Sequence, residues 1–61
     1  MSSDFEKMLV NEQLMGKIKT IQFIIECLKN DIEDLSYDKI ADNVSSLNTS
    51  ICSFLENLKK L

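Results

Sequence analysis

The sequence predicts an all-α protein, a two-helix antiparallel hairpin of the coiled-coil kind that completes a larger helical assembly by association. Two stretches predict the helices, because their apolar residues recur at alternating steps of three and four. Neither stretch has the period of two that a β-strand requires. A break in phase between the stretches predicts the turn. At 61 residues, the chain has room for one small domain, so we expect residues 1–61 to form a single hairpin.

Helix one is predicted over about residues 4–34. Ser3 and Glu6 have the spacing of a capping box, and Asp4 places a negative charge at the positive end of the helix dipole. The predicted packing stripe of this helix consists of Leu14, Ile18, Ile21, Ile25, Leu28, Ile32 and Leu35. Gly16 lies inside the pattern and predicts either a local bend or a close approach between helices.

Helix two is predicted over about residues 38–60, after a turn at about 35–37. Continuing the first stripe would place apolar residues near positions 39 and 42, but these are Lys39 and Asp42. The stripe of helix two restarts in a new phase, with Tyr37, Ile40, Val44, Leu47, Ile51, Phe54, Leu58 and Leu61. Ser36 is the expected cap. One long helix with a skip residue remains an alternative, because no Gly or Asn stands at the turn to end helix one.

The chain has more apolar surface than a lone hairpin can bury. Phe23 and Ile24 lie off the predicted stripe of helix one, and Leu55 widens that of helix two. Burial of one such side chain contributes about 1.5–3 kcal/mol, which favours association. The second helix is also rich in Ser, Asn and Thr, which are weak helix formers. We therefore expect a partner protein to support it.

Composition disfavours catalysis and nucleic-acid binding. The chain has no His, the commonest general base, and no Arg, which recognises phosphates and guanine. A net charge of −3 further disfavours binding to nucleic acid. The longest apolar run, 23–25, is far shorter than the roughly 20 residues of a membrane-spanning helix. We expect a non-enzymatic, cytoplasmic protein without a secretory signal, a cofactor or membrane insertion.

No metal or nucleophile site is predicted. Cys27 and Cys52 lack the CxxC spacing and the His companion of a zinc site, and we expect them to be reduced thiols. An acidic stretch lacks the glycine and the ligand spacing of an EF-hand loop; its members are Asp31, Glu33, Asp34 and Asp38. We interpret that stretch as solvated surface charge.

The pattern resembles the small helical-hairpin co-chaperones of type III secretion systems, which keep the needle subunit soluble before export. The resemblance rests on a long first helix ending in Cys27-Leu28-Lys29-Asn30-Asp31-Ile32 and on a second helix that opens with Tyr37 and continues with Ile40, Leu47 and Ile51. It implies a bacterial cytoplasmic protein that stabilises a larger tetratricopeptide-like chaperone, a helical-repeat protein that holds the needle subunit. A self-dimer is a second way to cover the apolar surface.

The sequence is compatible with two other functions. One is a homodimeric four-helix-bundle regulator that binds a transcription factor or RNA, and the other is a fragment of a longer coiled coil. In every case the function depends on a protein interface. The residues that we predict for this interface are Phe23, Ile24, Leu47, Ile51, Phe54 and Leu55.

Overall fold

The protein is an all-α hairpin of two helices in a computed structural model, which describes residues 2–61 and their side chains from Asp4 onward. Helix α1 spans Ser2–Glu33 and helix α2 spans Tyr37–Leu58. Within the described residues there is no β-strand. The all-α hairpin expected from the sequence is therefore confirmed. The helix ends differ from the expected ones by one or two residues, and the side chain of Ser3, expected as a cap, lies outside the described residues.

A left-handed leucine ends helix α1. Leu35 has a φ of 58°, and the flanking backbone hydrogen bonds form a Schellman motif. The Ser36 amide donates to the Asp31 carbonyl at 2.8 Å, and the Leu35 amide donates to the Ile32 carbonyl at 3.2 Å. This closure reverses the chain within three residues, so the alternative of one long helix is wrong. Leucine takes the place that Gly or Asn usually fills, which is why the sequence did not reveal the stop.

Helix α2 begins at the cap that the sequence predicted, but the cap is weak. Ser36 precedes the first helical residue, and its carbonyl accepts the Ile40 amide at 3.1 Å. Its side chain makes no capping hydrogen bond. Asp38 adds a negative charge in the first turn, near the positive end of the helix dipole.

The two helices pack along a narrow seam. In a seven-residue repeat lettered a to g, most of the residues that are at least partly buried fall at positions a and d of both helices, and Ile18, Cys27 and Ser53 lie beside them at positions e and g. On α1 these seam residues are Val10, Leu14, Lys17, Ile21, Ile24, Leu28 and Asp31. On α2 they are Ile40, Asn43, Leu47, Ser50, Phe54 and Asn57.

The hairpin has almost no interior. None of the apolar side chains in the described part of the chain is fully buried, and the one buried residue is Asn57, at 7% exposure. The Cα atoms extend over 52 × 14 × 8 Å, and their radius of gyration is 14.8 Å. A compact chain of this length has a radius of gyration of about 10.5 Å. The protein is thus a rod only one helix thick.

Candidate functional site: a two-sided hairpin

Polar side chains join the helices along the seam. Three hydrogen bonds connect α1 with α2: the Lys17 ammonium to the Ser53 hydroxyl at 2.6 Å, the Asn57 amide to the Gln13 side-chain oxygen at 2.7 Å, and the Asn43 amide to a carboxylate oxygen of Asp31. Each such bond contributes about 1 kcal/mol, and somewhat more where one partner is charged. Their chief effect is to fix the register of the two helices.

This register leaves the seam poor in apolar pairs. With the helices aligned by these hydrogen bonds, Ile24 lies level with Leu47, and both are partly buried. Ile21 lies level with Ser50, and Leu28 with Asn43, so polar and apolar residues alternate along the α2 side. The seam therefore holds the hairpin together with little hydrophobic burial.

The apolar side chains concentrate instead on one side of the hairpin. They occupy position e of both helices, and we call them the apolar flank. Its members are Ile18, Ile25 and Ile32 of α1 and Tyr37, Val44, Ile51 and Leu58 of α2. Ile18 is partly buried, and the other six are between 40% and 70% exposed. Met15 and Leu55, at the neighbouring position b, are also exposed and widen the flank.

Both helices contribute to the same flank because they are antiparallel. In an antiparallel pair, position e of one helix faces position e of the other, and position g faces position g. The opposite side confirms this arrangement. There, Gln13, Thr20, Ser53 and Lys60 line shallow grooves together with seam residues of both helices. One side of the hairpin is thus polar and the other apolar.

The apolar flank carries almost no charge. Between Met15 and Leu58, Lys29 is the one charged residue at positions b and e, which make up this side of the hairpin. The ammonium of Lys29 lies 3.6 Å from the Glu26 carboxylate. The acidic residues of this span lie on the seam, on the polar side or on the outer surfaces of the helices. A surface of this kind favours an apolar, uncharged partner face.

The structure corrects the predicted packing stripes. Eight residues expected between the helices are exposed instead: Ile25, Ile32, Leu35, Tyr37, Val44, Ile51, Leu58 and Leu61. Polar residues occupy seam positions in their place, among them Lys17, Asp31, Asn43, Ser50 and Asn57. The physical reason is that positions a and e, like a and d, recur at alternating steps of three and four. The step lengths therefore did not tell the seam from its flank.

The six predicted interface residues do not form one surface. Ile51 belongs to the apolar flank, and Leu55 lies beside it. Leu47 and Phe54 are partly buried in the seam. Ile24, expected off the packing stripe, is a seam residue instead.

Phe23 is 69% exposed on the outer surface of α1, and the helical repeat places it away from the apolar flank. Of Phe23, Ile24 and Leu55, which were expected to stay uncovered, the hairpin leaves Phe23 and Leu55 exposed. Because they lie on different sides, one partner helix cannot cover both.

One signal in the sequence could have located the seam. Asn43, Ser50 and Asn57 recur at intervals of seven residues, the period of a single position in a coiled-coil repeat. A polar residue at such a position is a known device for fixing register. Treating this series as interhelical would have placed Val44 and Ile51 on the flank.

No further chemistry is visible in the part of the chain that is described. Cys27 and Cys52 are not joined in a disulfide. From Asp4 onward, no three Cys, Asp or Glu side chains are grouped closely enough to hold a metal ion. Within the described range, neither helix combines the length and apolar character needed to cross a membrane. An added Cβ at Gly16 would have no neighbouring atom within 4 Å, so a close helix approach, one of the two alternatives for this residue, is absent.

Comparison with known proteins gives no relative: no family model, curated protein or solved structure matches the chain.

Proposed function

We propose that this chain is a non-enzymatic interaction module, a small co-chaperone or assembly adaptor whose apolar flank docks on the helices of a larger protein. The observation that supports the proposal is the contrast between flank and interior. Six of the seven flank residues are exposed apolar side chains, and no apolar side chain from Asp4 onward is fully buried. A docking surface explains why the aliphatic residues lie outside.

The resemblance to type III secretion co-chaperones suggests the partner. In this proposal, a bacterial cytoplasmic chaperone of the tetratricopeptide-like kind receives the flank, and that chaperone holds the needle subunit. Helical repeats present apolar grooves between neighbouring helices, which suit a face formed by two antiparallel helices. The chain stabilises the larger chaperone and contributes no chemistry of its own.

The test is co-purification from the native cell followed by mass spectrometry, with flank and control variants in parallel. We expect a helical-repeat protein to copurify with the natural chain. Val44→Lys places a charge in the flank and should abolish this association, because an unpaired ammonium is costly to bury. Ser45→Lys adds the same charge one residue further on, at an exposed outer position, and should leave the association intact.

Two results would contradict the proposal. The first is recovery of nucleic acid or a DNA-binding protein in place of a helical-repeat protein, which would support the regulator. The second is an unchanged association of the Val44→Lys chain, which would show that the flank is not the docking surface.

A further inference from the structure

The hairpin lacks the second layer that a stable fold requires. Domains are built from at least two packed layers of secondary structure, which bury apolar residues between them. Here the two helices form one layer, whose Cα atoms are only 8 Å deep. A single layer of 61 residues buries so little apolar surface that its stability alone is marginal. A second layer packed against the apolar flank would supply the missing burial.

The area of the flank matches that of a stable interface. Six flank residues, together with Met15 and Leu55, are each at least 40% exposed. At on the order of 100 Å² each, these eight side chains offer roughly 800 Å², and a standard interface buries roughly 800 Å² on each partner. The seam residues beside them, such as Phe54, are only partly buried and add to this surface.

Charge also determines which side of one copy can approach another copy. The chain carries a net charge of −3. Its acidic side chains from Met15 to Leu58 lie outside positions b and e, which form the flank and its edge. Two copies that meet through the outer surfaces of the helices bury carboxylates, and two copies that meet through the polar side bury Lys17 and Lys60, which the cost of desolvating charges opposes. Two copies that meet through the flank bring together aliphatic side chains and one lysine from each chain, Lys29, which already has Glu26 as its partner.

We propose that a second copy of this chain covers the apolar flank when no other protein occupies it, giving a two-fold symmetric four-helix bundle. The interface is isologous, so each flank residue contributes twice. Positions a and d hold each hairpin together, and position e packs between the hairpins, as in helix bundles whose helices bury three positions of the repeat. The flank is the surface of the proposed function as well, so self-association and docking on the larger protein compete.

The first test measures mass and thermal unfolding of the purified chain against concentration. Sedimentation equilibrium should give twice the chain mass at high micromolar concentration, and less on dilution. Because folding and dimerisation are coupled, the midpoint of thermal unfolding should rise by about 5 °C for each tenfold increase in concentration. A monomer mass with a midpoint that does not depend on concentration would overturn the proposal.

The second test locates the interface with variants that preserve the hairpin. Val44→Thr keeps the shape of an exposed flank side chain but replaces one methyl group with a hydroxyl. It should weaken the dimer at least tenfold, because the change occurs twice in a two-fold interface. Ser45→Thr places the same residue at an outward position of α2 and should leave dimer affinity within twofold. Equal affinities of these two variants would overturn the placement of the interface.

Failure of this inference can be told apart from failure of the proposed function. A monomeric chain that still captures the helical-repeat protein through Val44 would overturn the dimer and leave the proposed function standing. A dimer that Val44→Thr weakens, and that captures no helical-repeat protein, would support the dimer and overturn the proposed function.

Discussion

Leu35 adopts a backbone conformation that leucine rarely takes. Its φ of 58° places Cβ close to the backbone, at a cost of about 1–2 kcal/mol. Its side chain is 67% exposed, so little packing offsets this cost. The two Schellman hydrogen bonds to Asp31 and Ile32 stabilise the closure. The turn is therefore held by backbone hydrogen bonds, against the preference of its central residue.

Replacing Leu35 by glycine should stabilise the protein. Leu35→Gly removes the Cβ clash, and we expect the free energy of unfolding to rise by about 1 kcal/mol. Urea denaturation followed by circular dichroism, at one fixed protein concentration, measures this change. Leu35→Ala is the matched control, since it removes the same exposed side chain but keeps the Cβ. An equal gain in both variants would show that the leucine side chain, and not the backbone conformation, causes the strain.

The two helices differ in how they are stabilised. Helix α1 has 32 residues, and its first turns extend beyond the end of α2, where Phe5, Met8 and Leu9 are exposed. Helix α2 has 22 residues and many Ser, Asn and Thr, which disfavour helix formation. It depends on the seam and on whatever covers the flank. Changes in helix propensity should therefore have visible effects on stability.

Gly16 offers the clearest test of propensity in α1. A Cβ added there meets no atom within 4 Å, so alanine fits without displacing a neighbour. Gly16→Ala should raise the free energy of unfolding by about 1 kcal/mol, which corresponds to about 4–8 °C in the unfolding midpoint.

Ala41→Gly makes the reverse change at an exposed position of α2 and should lower stability by a similar amount. A loss of stability in Gly16→Ala would mean that the shallow polar groove lined by Gly16 must stay open in the folded protein.

At the scale of the whole molecule, stability is limited by the missing interior. The rod is 52 Å long and buries none of its apolar side chains completely from Asp4 onward. For a scaffold of this size, hydrophobic burial and conformational entropy nearly cancel. The isolated chain therefore has a small free energy of unfolding, and truncation of one seam side chain should remove most of it.

Two phenylalanines test whether seam or outer residues contribute to this stability. Phe54 is partly buried in the seam, so Phe54→Ala should cost about 2–3 kcal/mol and leave the chain largely unfolded. Phe23 is exposed on the outer surface of α1, so Phe23→Ala should cost less than about 0.5 kcal/mol. Helical circular dichroism at equal concentrations compares the two. A similar loss in both variants would show that Phe23 is covered by a protein surface in solution.

The sequence by itself determined the two helices and the position of the turn. Local features set both: the period of the apolar residues defines each helix, and the change of phase between Leu35 and Tyr37 separates them. The end of α1 was harder to foresee, because leucine fills a place that glycine usually occupies. The prediction of surplus apolar surface also came from the sequence, through exposed Phe23 and Leu55.

Only the tertiary structure decided which apolar residues face the other helix. Positions d and e lie on either side of position a, and both give alternating steps of three and four, so the choice depends on how the helices rotate against each other. The cross-helix hydrogen bonds of Lys17, Asn43 and Asn57 fix that rotation, and they join residues far apart in the chain. The same rotation leaves Val44 and Ile51 exposed, because a two-helix seam has no room for a third position of the repeat.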